Sequence, residues 1–452
     1  MTRGALGSSK VGIIKSMKNL RNTTLLAVAA FGLVATHANA QSDFYSRDKY
    51  ESVADRVQPD FDPEPIRLGT FVVKSDLTLG VEGTDNVLAS NGNDPADPEE
   101  SDTIFSAEIG ANARTDWSVH QISLRGRLGQ NEYSDFSEES FTDVNLGAGG
   151  RLDVSRDLSL SADIGYRDSV QPRANYANGS ELASPIEFNR TTFTLGANYQ
   201  NDRFQWNNSL RLTEADFDNG FNRITNMPFN QDFRDNQNLN LTSRLSYAVS
   251  PNVAVFGQGS VSQADYDSDQ TFVEEGVPVT RTRDSDGYTV AAGVNFETTN
   301  LLRGDVAVGF FSEDKKDERF EDVDGLSVDG SVEWFPSRLT TVEFTAGRRV
   351  IDNGLIDSPS TLQTSYGANV DHEFSRQVVG SLFGFIAEDD YQEIDRTDDN
   401  TRLGAALTYK LNKRVHLTGT VQNVERDVSQ AANLFDPSFS ANEIGIRLSF
   451  FP

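Results

Sequence analysis

The sequence predicts an all-β fold: a transmembrane antiparallel up-and-down β-barrel of about 18 strands, with short turns at one end and longer loops at the other. Three observations carry this. The chain ends on one amphipathic strand, in which Ile444, Ile446, Leu448 and Phe450 share a face and Gly445, Arg447 and Ser449 share the other. Segments of about a dozen residues alternate in polarity from Leu68 onward. The connections between them alternate between short and long, which a soluble β-sandwich has no reason to maintain.

The last strand has the form of an outer-membrane insertion signal, with polar Glu443, then Gly445, then Leu448 and Phe450 close to the C-terminus. An Arg alternating with large apolar residues suits a strand with lipid on one side and water on the other. The expected location is therefore the cell outer membrane. The expected partners are its lipid, its lipopolysaccharide and the barrel assembly machinery.

At the other end, Met17-Lys18-Asn19-Leu20-Arg21 is basic, Leu25 to Val34 is apolar, and Ala38-Asn39-Ala40 offers small residues for cleavage after Ala40. Residues 1–40 read as a signal peptide, whose apolar stretch is short for a membrane helix. Translation from Met17 gives it ordinary proportions. Residues 41–67 are polar and acidic, with Pro59, Pro63 and Pro65, and read as a periplasmic lead-in with little structure of its own. This segment serves either as a linker or as a docking peptide for a periplasmic partner.

Residues 68–452 form the barrel. Strands are expected at 69–83, 102–115, 117–133, 140–155, 157–170, 187–201, 202–216, 234–249, 252–266, 284–298, 301–314, 320–334, 337–350, 361–374, 376–390, 399–412, 414–426 and 440–451. Short turns fall at Asp116, Arg156-Asp157, Asn201-Asp202, Ser250-Pro251, Thr299-Asn300, Phe335-Pro336 and Asn412-Lys413. Long loops fall at 84–101, 171–186, 217–233, 267–283, 351–360, 391–398 and 427–439. The first and last connections are long, so both termini lie at the short-turn, periplasmic end and the strand number is even.

The faces follow from phase. Leu403, Ala405, Leu407, Tyr409 and Leu411 oppose Arg402, Thr408 and Lys410. The apolar set faces lipid, because charge there costs about 2–4 kcal/mol at the midplane. Trp117, Phe204, Trp206, Tyr247, Trp334 and Phe335 are expected in an aromatic girdle. By the same phase Arg125, Arg127, Arg151, Arg211, Arg244, Arg349, Arg402 and Arg447 line the lumen, with Asp153, Asp163, Asp329, Glu333 and Glu343. These arginines either form a path for hydrated, anionic polymers or pair with carboxylates across strands and hold the wall.

The net charge is −28, and removal of residues 1–40 leaves 35 basic against 68 acidic residues, a net of −33. That argues against nucleic acid as a partner. Mean hydropathy is −0.47, which says little for a barrel that hides its lipid face by alternation. There is no cysteine, so neither disulfides nor thiolate chemistry is expected. No cofactor is expected. Acidic stretches at Asn91-Gly92-Asn93-Asp94, Asp284-Ser285-Asp286-Gly287, Asp322-Val323-Asp324-Gly325 and Asp398-Asp399-Asn400 offer oxygen ligands to calcium, but none has the spacing of a helix–loop–helix site. Their plainer role is solvation and divalent bridging to lipopolysaccharide.

Catalysis is not expected. Beyond residue 40 the histidines are His120, His372 and His416. His120 and His372 lie near short turns, and His416 faces inward with Thr418, Thr420 and Gln422. They assemble no nucleophile–base pair, and the chain has no G-x-S-x-G or phosphate loop.

Pro65-Ile66-Arg67-Leu68-Gly69-Thr70-Phe71, then Leu77-Thr78-Leu79-Gly80-Val81 and Thr84-Asp85-Asn86-Val87, resemble the opening of the putative β-barrel porin 2 family. There an R-x-G-x-F segment enters the first strand and a D-N-[VI] tripeptide ends it. Gly150 to Leu158 also resembles the family. The resemblance implies a barrel of the kind found with exopolysaccharide, capsule or holdfast export machinery, and hence periplasmic polysaccharide-export proteins as partners. The expected function is passage of a surface or extracellular polysaccharide through a polar lumen. A general diffusion porin and a non-conducting adhesion barrel are the alternatives. A porin folds one long loop inward, whereas 171–186, 217–233 and 267–283 look similarly modest.

Overall fold

The computed structural model describes residues 51–92, 98–175, 182–223, 225–267, 269–274, 277–298, 301–353, 355, 358–429 and 438–452. The expected signal peptide, with Ala38 and Ala40, lies outside the described residues.

The chain forms a closed antiparallel barrel of 18 strands. In order they are β1 (Phe71–Thr84), β2 (Asp102–Thr115), β3 (Gln121–Tyr133), β4 (Phe141–Asp153), β5 (Leu158–Gln171) and β6 (Ile186–Asn201). Then come β7 (Phe204–Phe217), β8 (Asn236–Ser250), β9 (Val253–Tyr266), β10 (Ser285–Thr298), β11 (Leu302–Lys315) and β12 (Val323–Ser337). The ring ends with β13 (Thr340–Ile351), β14 (Thr361–Ser375), β15 (Val378–Tyr391), β16 (Arg396–Asn412), β17 (Val415–Ser429) and β18 (Phe439–Phe450).

Each strand pairs with its sequence neighbours. β18 closes on β1 from Leu77 opposite Phe450 to Thr84 opposite Glu443. Below Leu77 a short strand, Ile66–Leu68, folds back on Phe71–Val73 and covers part of the edge that β18 does not reach. The turn between them needs a left-handed residue, and Gly69 supplies it at φ 61°. Closure satisfies the backbone hydrogen bonds that hydrocarbon would leave unmade.

The alternation resolves as expected. Ile444 and Ile446 are 66% and 60% exposed on the outer face of β18, while Arg447 points inward to Glu82 at 3.3 Å. Exposed leucines, valines and aromatics form a belt around the barrel, whereas buried apolar clusters hold only a few residues each, such as Phe256, Ala291 and Ala307. A fold with its apolar surface outside and no central core requires lipid around it. Trp117, Phe204, Trp206, Tyr247 and Trp334 are exposed on that surface, and the Phe204 and Tyr247 rings lie 4.9 Å apart.

Several boundaries differ from the sequence reading. The connection after β2 spans 116–120, so Trp117 and Val119 precede β3 rather than belonging to it. Phe335 is not a girdle residue. β12 runs on to Ser337 through a shift in register after Trp334, and the turn falls at Arg338-Leu339. Phe335 is 3% exposed beneath Arg303, whose guanidinium lies 5.3 Å from its ring. β16 begins at Arg396, opposite Tyr391, and its buried Asp398 ties this end to both neighbours, accepting the Tyr391 hydroxyl at 3.1 Å and facing Arg426 at 3.8 Å. The 267–283 loop contains a hairpin, Gln270–Glu274 against Val277–Arg281.

Candidate functional site: the lumen and its two ends

The inward wall is built from cross-strand ion pairs. Arg125 on β3 spans β4 to reach Asp163 on β5, with contacts of 2.8 and 2.5 Å. It lies flat because β4 has Gly147 beneath it: a Cβ there would fall 2.4 Å from Arg125 Nε, and one at Gly149 would fall 2.6 Å from Asp163. Arg127 pairs with Glu108 and Arg447 with Glu82, while Arg151 pairs within its own strand with Asp153 at 3.1 Å. Arg244 on β8 reaches Asp305 on β11 and packs over the Phe256 ring at 3.4 Å. Arg349 donates to Gln363 at 3.4 Å. Arg211 and Arg402 also face inward, between outward Leu210 and Leu212 and beside outward Leu403 respectively. Five of the eight expected lumen arginines are thus bound to carboxylates, four of them across strands.

Of the inward acids, Asp153 and Asp163 are accounted for above, Glu333 pairs with Arg303, and Glu343 accepts the Ser331 hydroxyl at 3.3 Å. The wall is wet on one side. Side chains of Arg125, Arg127, Arg151 and Arg167 are between 41 and 51% exposed, against 8% for Arg244.

The long-loop end is held by four buried arginines that sequence reading did not single out. Arg173 donates to Glu139 at 2.9 Å and to the Leu182 carbonyl at 2.7 Å, joining the β3–β4 and β5–β6 connections. Burial pushes the Glu139 carboxyl up against the pull of Arg173. Arg234 donates to Gln171 and Gln231. Arg283 is 2% exposed and donates to Asp352 and to the carbonyls of Asn353, Leu355 and Pro359, joining the β9–β10 and β13–β14 connections. Burial works against its charge, but Asp352 and Tyr266 hold its pKa above the usual range.

Arg426, inward on β17, donates to the Ala174 carbonyl at 2.6 Å. Ala174 also packs against Ala89, Val424, Phe439 and Ala441. β17 is six strands from β5 around the ring, so the described start of the β5–β6 connection, Arg173–Asn175, reaches inward across the mouth. The expectation that no loop stands out is corrected: length does not set this loop apart, but its anchoring does. Only Arg426 carried a sequence signal, its phase within a strand. Nothing local separates a buried loop arginine from a solvated one.

A family model described as putative beta-barrel porin 2 matches residues 58–450. The chain belongs to this family. Comparison with curated proteins finds no match. Among solved structures it is similar to a mutant of the ferric enterobactin receptor PfeA from Pseudomonas aeruginosa, at 7% identity and TM-score 0.46 over 84% of this chain and 80% of that one. It is also similar to the copper transporter OprC, at 10% identity and TM-score 0.46 over 86% and 82%. The siderophore receptor PirA from Acinetobacter baumannii gives 8% and 0.45 over 84% and 80%. These are likenesses of overall shape.

The short-turn end of this porin-family barrel carries a strap. Residues 51–65 run along the rim from β13 to β17. The Val53 N–H donates to Thr341 Oγ1 at 2.9 Å, and Arg56 pairs with Glu373 at 2.7 Å. Lys410 pairs with Asp62 and Lys413 with Glu64, whose carboxyl is held below its usual range by Lys413. His416 Nε2 donates to the Phe61 carbonyl at 2.9 Å, which fixes the protonated nitrogen. Ser52 and Val53 are buried. His416 faces inward as expected and binds this strap. His120 Nδ1 accepts the Asp153 N–H, and His372 Nδ1 meets Thr340 Oγ1.

Of the calcium candidates, Asp398 is wholly buried between Arg396 and Arg426 and so is withheld from solvent cations. Asp284 accepts the Tyr266 N–H, Asp322 accepts the Lys315 N–H, and Asn93 and Asp94 lie outside the described residues.

Proposed function

We propose that this protein is an outer-membrane channel for passive passage of small hydrophilic solutes. The observation that carries this is the β5–β6 connection, anchored across the mouth by Arg426 and Ala174. A lumen of this strand number is wide enough for water unless loops fill it. An inward-anchored loop over a wet, charged wall makes a constricted aqueous path suited to small solutes, and the cell surface is where such a path is useful. Assembly would use the last strand as its recognition segment, and the acidic loops would meet lipopolysaccharide through divalent ions.

The test is reconstitution of the full chain in planar bilayers and liposomes. Stepwise conductance, with swelling that falls off as the sugar grows, is expected. A silent bilayer removes the channel reading.

Passage of a surface polysaccharide is the second reading. It is favoured by Phe383 and Phe385, two aromatic residues that share the inward phase of β15, opposite to that of exposed Leu382 and Ile386. A deletion strain separates the two. Less polysaccharide outside, with accumulation or stalled synthesis inside, supports export, and unchanged polysaccharide leaves the small-solute channel.

A further inference from the structure

In a closed ring of 18 strands, those nine apart lie opposite, so β3–β6 face β12–β15 across the lumen. The two walls treat their carboxylates differently. On β3–β6 each inward acid has an arginine: Asp163 has Arg125, Asp153 has Arg151, and Asp143 has Arg167 at 3.7 Å. Positive charge is left over. Arg190 on β6 and Arg211 on adjoining β7 make no ion pair among the described residues, and Arg211 Nε is buried without an acceptor.

On β12–β15 Glu333 pairs with Arg303 and Glu373 with Arg56, but three further inward carboxylates, Glu343, Asp371 and Asp389, are held by neutral groups. Glu343 takes the Ser331 hydroxyl. Asp371 takes the Asn369 amide at 2.8 Å and the Ser381 hydroxyl at 2.5 Å. Asp389 takes the Gln363 and Asn400 amides, both at 2.8 Å. The inward arginine of these strands, Arg349, is spent on Gln363. Neutral donors stabilise a carboxylate without cancelling its charge, whereas an ion pair leaves only a short-range dipole. Low-dielectric walls then focus the remaining field into the lumen.

We propose that the lumen is electrically divided: Glu343, Asp371 and Asp389 make β12–β15 a cation-attracting wall, Arg190 and Arg211 make β6–β7 an anion-attracting one, and the favoured solutes are small dipolar ions carrying both charges. This rests on the channel reading and specifies its substrate class.

The test is the reversal potential of the reconstituted full chain in a KCl gradient, with folding checked by heat-modifiable gel mobility. Glu343→Gln with Asp371→Asn shifts the potassium-to-chloride permeability ratio toward chloride by about twofold or more, and Arg190→Gln with Arg211→Gln shifts it toward potassium. In liposomes a dipolar amino acid enters faster than a neutral polyol of equal mass, and the carboxylate variant loses that advantage. Unmoved reversal potentials in both variants, or equal entry in the wild type, overturn the division while leaving the channel. A silent wild-type bilayer overturns the channel reading and this inference with it.

Discussion

At the scale of single residues, the wall depends on where side chains are missing. Gly147 lets Arg125 lie across β4 to Asp163. Gly147→Val drives a branched side chain into the guanidinium, and overpacking of this kind costs about 1–3 kcal/mol. The expected result is a lower unfolding temperature in detergent, with Gly126→Val, on the outer face of β3 near the Leu146 side chain, costing less. Asp235 makes a second point. Its carboxylate accepts the Phe217 N–H at 2.7 Å. Burial, together with Asp216, Asp232 and Asp267, raises its pKa to about 6 against the opposing Phe217 hydrogen bond. A carboxyl raised in the folded state binds its proton more tightly there. Its contribution is therefore fully present below the ordinary value near 3.8 and lost as pH rises through about 6. The 218–235 connection is expected to hold more firmly at pH 5 than at pH 7. Slower amide exchange there at pH 5, after correction for intrinsic rates, checks this, and Asp235→Asn should flatten the dependence. The inward phase of Arg125 was legible in a two-residue alternation. Its partner was not, because Asp163 lies one strand beyond its neighbour and is reachable only through a glycine gap that sequence spacing does not mark.

At the scale of elements, the strands were legible and the connections only by length. The 18 expected segments each overlap an observed strand, because alternation and turn chemistry are local properties. The loop contacts are not local. Arg283 binds residues about seventy positions away, and Arg426 meets Ala174 from the far side of the closure. The 267–283 hairpin is not legible as strand, because its arms are short and lie outside the barrel rhythm. The anchored loops predict gating. Arg283→Ala leaves Asp352 and three carbonyls without a shared donor, and breaking a buried ion pair typically costs about 3–5 kcal/mol. That cost falls on the closed arrangement of the mouth. Noisier and larger conductance steps than the wild type are expected, and unchanged single-channel traces would show that these loops do not limit flow. The strap at the other end predicts a separate effect. Removing residues 41–65 frees Glu373, Lys410 and His416 at the rim and is expected to raise conductance without altering heat-modifiable mobility. A truncated barrel that conducts as the full chain does would make the strap a tether only.

At the scale of the whole molecule, one alternation sets both surfaces, so a one-residue step changes solvent. Leu382 is 61% exposed on the outer belt, while Phe383 beside it points into the lumen, where its ring occupies the space above Gly404. Hydrocarbon charges a lysine at the belt about 2–4 kcal/mol near the midplane, but a lumen already lined by arginines and carboxylates accepts one. Leu382→Lys is therefore expected to lower the folded fraction in bilayers much more than Phe383→Lys, read as heat-modifiable mobility after refolding into vesicles. The contrast is informative because the two substitutions add the same side chain at neighbouring positions of one strand, one facing lipid and the other the lumen. Equal folding of the two would mean that β15 does not separate lipid from water, and the lumen walls, the anchored loops and the charge division would all lose their frame. The lumen's polarity follows from that phase. Its division into opposed walls needs ring closure as well, since β3 and β12 become opposite only once β18 meets β1.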